Sequence, residues 1–156
     1  MKKVNIIVAD DIASDNEMVR EALEEYAGTR PDVRIHIDTA FDGDEAINIM
    51  REYEEEGTPL HLLVTDQKMP HKKGNELIEY MRSSEHLRYV PAIVLSTSNN
   101  QRDVDACWLS GGHGYLEKPE SWKEYQDLVV RLAEFWLGDV LYPSRKVTTK
   151  KKGRLI

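Results

Sequence analysis

The sequence predicts an α/β domain in which a five-stranded parallel sheet is covered by helices on both faces. Three observations carry this. Five short apolar runs rich in β-branched residues alternate with helix-like segments, three of those runs are apolar almost throughout, and polar residues cluster just beyond their ends. Such alternation is the pattern of βαβ units, and strands buried on both faces read as continuous apolar runs.

The first run, Val4 to Ala9, is interrupted only by Asn5. A helix over residues 15–27 follows, with Ser14 and Glu17 spaced as a capping box. The second run, Val33 to Thr39, sets Val33, Ile35 and Ile37 against Arg34, His36 and Asp38, which predicts an edge strand with one wet face. Asp42 or Asp44 caps a helix over 44–56, and Gly57-Thr58-Pro59 breaks it. Leu60 to Thr65 and Ala92 to Ser96 are the other two buried strands, with a helix over 75–86 between them. A helix over 101–110, the break Gly111-Gly112, the short run Gly114 to Leu116 and a last helix over 121–137 complete the series. Five such units fit the flavodoxin-like doubly wound order 2-1-3-4-5, in which ligands bind outside the carboxyl ends of the strands, near the switch in strand order.

At 156 residues the chain suits one well-filled core. We read residues 1–138 as that domain and 139–156 as an extension with an apolar start and a basic end. No apolar run approaches the roughly 20 residues that span a bilayer, and Asp10 and Asp11 interrupt the first run too early for a signal peptide, so a cytoplasmic protein without membrane contact is expected. Cys107 is the only cysteine, which excludes an intrachain disulfide and a thiolate metal cluster. Of the 21 Lys and Arg residues six lie from Arg145 onward, where there is no acid, so all 28 carboxylates belong to residues 1–144. An acidic body repels a phosphate backbone, and nucleic acid is not an expected partner.

The strand-end rule locates the chemistry. The first strand ends in Asp10 and Asp11, the third in Asp66, the fourth in Ser96 and the fifth in Lys118. Taken singly, each has an ordinary explanation: an aspartate after a strand is usually a helix cap or turn residue, and Lys118-Pro119 reads as a solvated lysine before a turn proline. Independent caps would not converge on one edge of a sheet. Three converging carboxylates repel one another unless a cation neutralises them, and an all-oxygen set with few protein ligands suits hydrated Mg2+. Lys118 beside them fits an anion. A carboxylate so placed can attack phosphorus to give an aspartyl phosphate.

Four segments then resemble a known family. Ile-Ile-Val-Ala-Asp10-Asp11, Leu-Val-Thr-Asp66-Gln-Lys-Met-Pro70 with Gly74, Ile-Val-Leu-Ser96-Thr97, and Gly-Tyr115-Leu-Glu-Lys118-Pro119 resemble the signature segments of response-regulator receivers, in the family order. The intervals agree as well, 30 residues from Asp66 to Ser96 and 22 from Ser96 to Lys118. The resemblance implies a two-component signalling protein, not an enzyme with turnover. It makes Asp66 the phosphoacceptor, supplied by a sensor histidine kinase or a phosphotransfer protein. It makes Asp11 a direct Mg2+ ligand with Asp66 and the backbone carbonyl of Lys68, and Asp10 the holder of metal-bound water. Lys118 would bind the phosphoryl oxygens through a segment whose bond to Pro119 is cis in the family, and Ser96 and Tyr115 would occupy the hydroxyl and aromatic switch positions. The output would be a conformational change on the face of the fourth helix, fifth strand and fifth helix, read by a downstream protein that the sequence does not name.

Ala9, Thr97, Lys68 and Ser98 depart from, or fall at variable positions of, the family pattern; Lys68 either shields the acyl phosphate or is solvated. Between Asp11 and Asp66 lie 54 residues, more than in compact chemotaxis receivers, with the surplus at Tyr26 to Pro31 and Glu54 to Pro59. These loops and the segment Glu134-Phe-Trp-Leu-Gly-Asp-Val-Leu-Tyr-Pro143 resemble the cyanobacterial phytochrome response regulators, which implies a stand-alone receiver without a DNA-binding output domain.

Val104 and Cys107 form the core stripe of the fourth helix, which turns Trp108 and Leu109 the other way. With Phe135, Trp136, Leu141 and Tyr142 they are candidates for an interface, and a homodimer through this face is expected. The alternative for Trp108 is a surface aromatic that leans on its neighbours. Residues 144–156 are expected to be disordered. Two other functions fit parts of the pattern: a receiver-like adaptor that works without phosphorylation, and an aspartyl-phosphate phosphohydrolase. The second is disfavoured by Lys68, which stands two residues after Asp66, where such hydrolases place a second acid.

Overall fold

The computed structural model describes residues 2–143. The elements follow in strict alternation: β1 (Lys2–Ala9), α1 (Ala13–Gly28), β2 (Val33–Ala40), α2 (Gly43–Glu56), β3 (Leu62–Thr65), α3 (Gly74–Arg82), β4 (Ala92–Ser96), α4 (Gln101–Leu109), β5 (Gly114–Glu117) and α5 (Trp122–Ala133). A π-helical turn, Glu134–Asp139, continues α5. All strand pairs are parallel, in the order β2-β1-β3-β4-β5. The expected doubly wound sheet is thus present, with the alternating run β2 on an edge.

Alternation along each strand divides the core. From β1, Ile6 and Val8 join Met18, Leu23 and Tyr26 of α1 and Val129 and Leu132 of α5 on one face. Ile7 and Ala9 join Ile47 and Met50 of α2, Leu77, Ile78 and Met81 of α3 and Cys107 of α4 on the other. Each large apolar side chain so covered contributes roughly 1.5–3 kcal/mol relative to exposure. No helix among the described residues is long and apolar enough to cross a membrane.

Several boundaries differ from the sequence reading. Ser14 does not cap α1: the cap position is Ile12, whose carbonyl accepts from the amides of Asp15 and Asn16, so Ser14 falls inside the first turn. Asp42 does cap α2, accepting from the Glu45 amide at 2.8 Å, while the Glu45 carboxylate accepts from Phe41 N. α2 stops at Gly57, whose φ of 68° lies in the left-handed region that glycine tolerates. α3 ends at Arg82, four residues sooner than expected, and Ser84 beyond it donates to Glu54 of α2. No cis peptide bond occurs among the described residues, so Lys118-Pro119 is trans, contrary to the family pattern. The disorder expected of residues 144–156 falls outside the described residues.

Candidate functional site

The sheet register brings the expected residues together. Asp10, Asp66 and Lys118 each follow a strand, and each continues the ladder with its own amide: Asp10 N donates to Ala40 O at 3.1 Å, Asp66 N to Ala9 O at 2.8 Å and Lys118 N to Ser96 O at 2.8 Å. The backbone of the site is therefore an extension of the sheet. Gly74 closes the turn behind Asp66, where a Cβ atom would come within 2.4 Å of the Asp66 carbonyl oxygen. Only glycine leaves room for that approach.

Asp10, Asp66, Ser96 and Lys118 are buried, and Asp11 is exposed. Carboxylate oxygens of Asp10, Asp11 and Asp66 lie within 4.8 Å of one another. One oxygen of Asp66, Oδ1, accepts from the Gln67 amide at 2.7 Å, whereas Oδ2 lies 3.6 Å from Lys118 Nζ. Ser96 Oγ accepts from Ser98 N at 3.1 Å, and the Ser96 side chain lies near enough to Asp66 to favour its charged form. Lys118 Nζ donates to Asp10 Oδ2 at 2.7 Å and to Asp15 Oδ2 at 2.8 Å.

Burial dominates the electrostatics of the carboxylates. It pushes Asp10 up to about 6 despite the bonds from Lys118 and the Ile12 amide, and it raises Asp66 against the charge of Lys118. Burial alone would lower Lys118, yet its bonds to Asp10 and Asp15 and the charge of Asp66 raise it above the ordinary lysine value. The ammonium is thus fixed as a cation, while the carboxylates carry more negative charge than it neutralises. An all-oxygen set with one exposed member and uncompensated charge fits a hydrated divalent cation.

Two residues of this cluster escaped the sequence reading. Asp15 opens the helix expected over residues 15–27, where an acid is ordinary, and only the folded chain brings its carboxylate to Lys118. Tyr125, on the core stripe of α5, lines a cavity of about 10 Å³ beneath Asp10 and Asp66, and its buried hydroxyl has no partner among the described residues. A groove of about 330 Å³ lined by Thr97, Glu117, Lys118, Pro119 and Glu120 adjoins the cluster, whereas one of about 250 Å³ lined by Lys2, Pro59, His86, Tyr89 and Tyr142 lies at the opposite end and contains none of Asp10, Asp11, Asp66, Ser96 and Lys118.

The periphery is more varied. Tyr115 is half-buried and donates to the Ser98 carbonyl at 2.8 Å, so both switch candidates meet at Ser98. Lys68 extends over the surface to within 3.9 Å of Asp103 on α4, and Ser98 Oγ donates to the same Asp103 oxygen at 2.9 Å. Among the interface candidates Trp108, Leu109, Phe135, Leu141 and Tyr142 are exposed. Trp136 instead packs against the core beside α1 and α5 and meets the His113 ring edge-on at 5.3 Å, and its carbonyl accepts from the Tyr142 hydroxyl at 2.5 Å.

Residues 6–130 match the family model described as the response regulator receiver domain. Response regulator Rcp1 of Synechocystis sp. is 28% identical over 142 residues, 89% of this chain and 92% of that protein. A probable methanogenesis regulatory protein, FilR2 of Methanothrix harundinacea, is 28% identical over 134 residues, 85% of this chain and 83% of its own. Among solved structures, the phosphorylated cyanobacterial phytochrome response regulator RcpA superposes with a TM-score of 0.80 at 26% identity, covering 91% of this chain and 99% of that one. The Mn2+-bound form of Rcp1 superposes with a TM-score of 0.76, again at 26% identity, covering 90% and 99%.

Proposed function

Because the chain belongs to the response regulator receiver domain family, we propose that Asp66 accepts a phosphoryl group from a sensor histidine kinase or a phosphotransfer protein in a Mg2+-dependent reaction. The observation that carries this reading is the unequal environment of the two Asp66 oxygens. Oδ1 is occupied by the Gln67 amide, whereas Oδ2 faces Lys118 beside the acidic cluster.

In this reading Oδ2 forms the new bond to phosphorus as the bond from phosphorus to the donor atom breaks, and the electron pair leaves with the donor, a kinase histidine or a small acyl phosphate. Asp11, Asp66 and the Lys68 carbonyl would hold the cation, and Asp10 would hold its bound water. When bound, Mg2+ neutralises the carboxylates and the charge on the transferred oxygens. Lys118 binds a phosphoryl oxygen through a charge-assisted hydrogen bond, and the Ser96 hydroxyl, already beside Asp66, donates to another. The added charge biases the loop in which Ser98 bonds both Ser96 and Tyr115. The change is read on the face of α4, β5 and α5 by a partner protein in the cytoplasm.

The domain boundary falls near residue 138, and a homodimer forms through the exposed Trp108, Leu109, Phe135, Leu141 and Tyr142, with Trp136 as their support. Hydrolysis of the acyl phosphate is the only turnover expected. Incubation with Mg2+ and acetyl phosphate, followed by intact mass, tests the proposal. The wild type should gain one phosphoryl group and Asp66→Asn none. No adduct on the wild type, together with no beryllofluoride binding, or an equal adduct on Asp66→Asn, refutes it.

A further inference from the structure

Phosphoryl acceptance on Asp66 accounts for Asp10, Asp11, Ser96 and Lys118 but not for Asp15. This side chain belongs to the first turn of α1 and lies outside the carboxylate set that could hold a cation. Nevertheless its Oδ2 is 2.8 Å from Lys118 Nζ, matching the 2.7 Å bond that Lys118 donates to Asp10 and closer than Asp66 at 3.6 Å. The side chain of Lys118 is 4% exposed and that of Asp15 18%, so water competes weakly for this bond.

We propose that Asp15 is a positioning residue for Lys118, a role that rests on the phosphoacceptor reading of Asp66. An ammonium carries three N–H donors on a flexible four-carbon stem and has no preferred orientation of its own. Asp10, at the end of β1, takes one donor and Asp15, on α1, takes the second. Two anchors on different elements fix the nitrogen, and the third donor is left for an oxygen of the group carried by Asp66. Asp10 cannot serve alone, because it also belongs to the carboxylate cluster and is shared with any cation bound there. Asp15 is the anchor with no second duty.

The sign of one effect separates this role from the alternatives. A carboxylate beside a site for an anion repels that anion, so direct electrostatics predicts that removing Asp15 strengthens anion binding. A purely structural role at the start of α1 predicts a loss of stability and an equal effect on binding whether or not Lys118 is present. Positioning predicts weaker binding that depends on Lys118.

The experiment titrates the full chain with beryllofluoride in saturating Mg2+ and follows the bound signal by fluorine NMR. Wild type, Asp15→Ala, Lys118→Met and the double variant are compared, and Asp15→Asn repeats the comparison should Asp15→Ala fold poorly. Asp15→Ala is expected to bind about tenfold more weakly than wild type, the loss of one charge-assisted hydrogen bond worth roughly 1.4 kcal/mol. In the Lys118→Met background the same substitution should cause no loss. Unchanged or tighter binding by Asp15→Ala, or equal losses in both backgrounds, overturns the positioning role. A wild type that takes neither beryllofluoride nor a phosphoryl group overturns the reading of Asp66 itself, and this inference with it.

Discussion

Replacing Asp10 by Asn is expected to stabilise the cation-free protein at neutral pH. Asp10 is 4% exposed, and burial raises its pKa from 3.8 to about 6 even though Lys118 and the Ile12 amide both favour the charged form. A folded-state pKa above the unfolded value means that the folded protein binds the extra proton. The contribution of Asp10 to stability is then complete below about pH 3.8 and is lost as pH rises through about 6. At about 1.36 kcal/mol per pKa unit, holding this carboxylate charged costs about 3 kcal/mol at pH 7 and roughly half that at pH 5. Asn keeps the shape and offers its one oxygen to Lys118 without the charge, but its NH2 then faces the Ile12 amide that met Oδ1, which takes back about 1 kcal/mol. In a chelator, urea denaturation should therefore show Asp10→Asn more stable by about 2 kcal/mol at pH 7, a midpoint shift of about 1 M urea, with a smaller gain at pH 5. Saturating Mg2+ should erase or reverse the gain, because only the complete carboxylate set gains binding energy. A destabilised Asp10→Asn at pH 7 in chelator, or a gain independent of pH, would refute the reasoning by showing that the Lys118 bond outweighs the cost of burial.

Other expectations concern the frame. Gly74→Ala places a Cβ atom 2.4 Å from the Asp66 carbonyl oxygen, so it should destabilise by about 1–3 kcal/mol and slow labelling by acetyl phosphate in the fraction that stays folded. Asp42→Ala removes the cap bond to the Glu45 amide and should cost about 1 kcal/mol in chemical denaturation, without altering that labelling. Met81→Ala, at a side chain with no exposed surface between α3 and the sheet, should cost about 2–5 kcal/mol, and a loss under 1 kcal/mol would mean that the site collapses around the gap. Combined substitution of Leu109 and Leu141 by Ser should leave the melting temperature within a few degrees but shift sedimentation toward monomer, since both side chains are at least 88% exposed; an unchanged self-association refutes their part in a dimer.

The strands were legible because burial on both faces demands continuous apolar runs, and β2 was legible as an edge because Arg34 and His36 interrupt its pattern. Asp66 and Lys118 followed from the same fact, since a parallel sheet gathers its strand ends. Asp15 was not legible: an acid in the first turn of a helix is ordinary, and only the position of α1 against the end of β5 shows what it faces. Tyr125 was concealed by its periodicity, because a core aromatic and an aromatic beneath a site have the same spacing. Ser14 misled for a local reason, in that the Ile12 carbonyl started the helix before the serine could cap it. Trp136, counted with the exposed aromatics, turned out to rest on His113 at the start of β5, a contact that no helical wheel of α5 reveals.

The continuation of the sheet ladder through the amides of Asp10, Asp66 and Lys118 divides the molecule into a part that inheritance must preserve and a part it can revise. The surplus segments, Tyr26 to Pro31 and Glu54 to Pro59, which the sequence offered as loops, are the last turns of α1 and α2 followed by short loops that lead into β2 and β3 at the ends remote from the acidic cluster. Lengthening a loop there adds little closure entropy, about 0.6 kcal/mol for each doubling, and leaves the ladder that fixes Asp66 untouched. A lineage can therefore rebuild one pole of this domain, and acquire new recognition surfaces on it, while the opposite pole keeps the same reactive geometry.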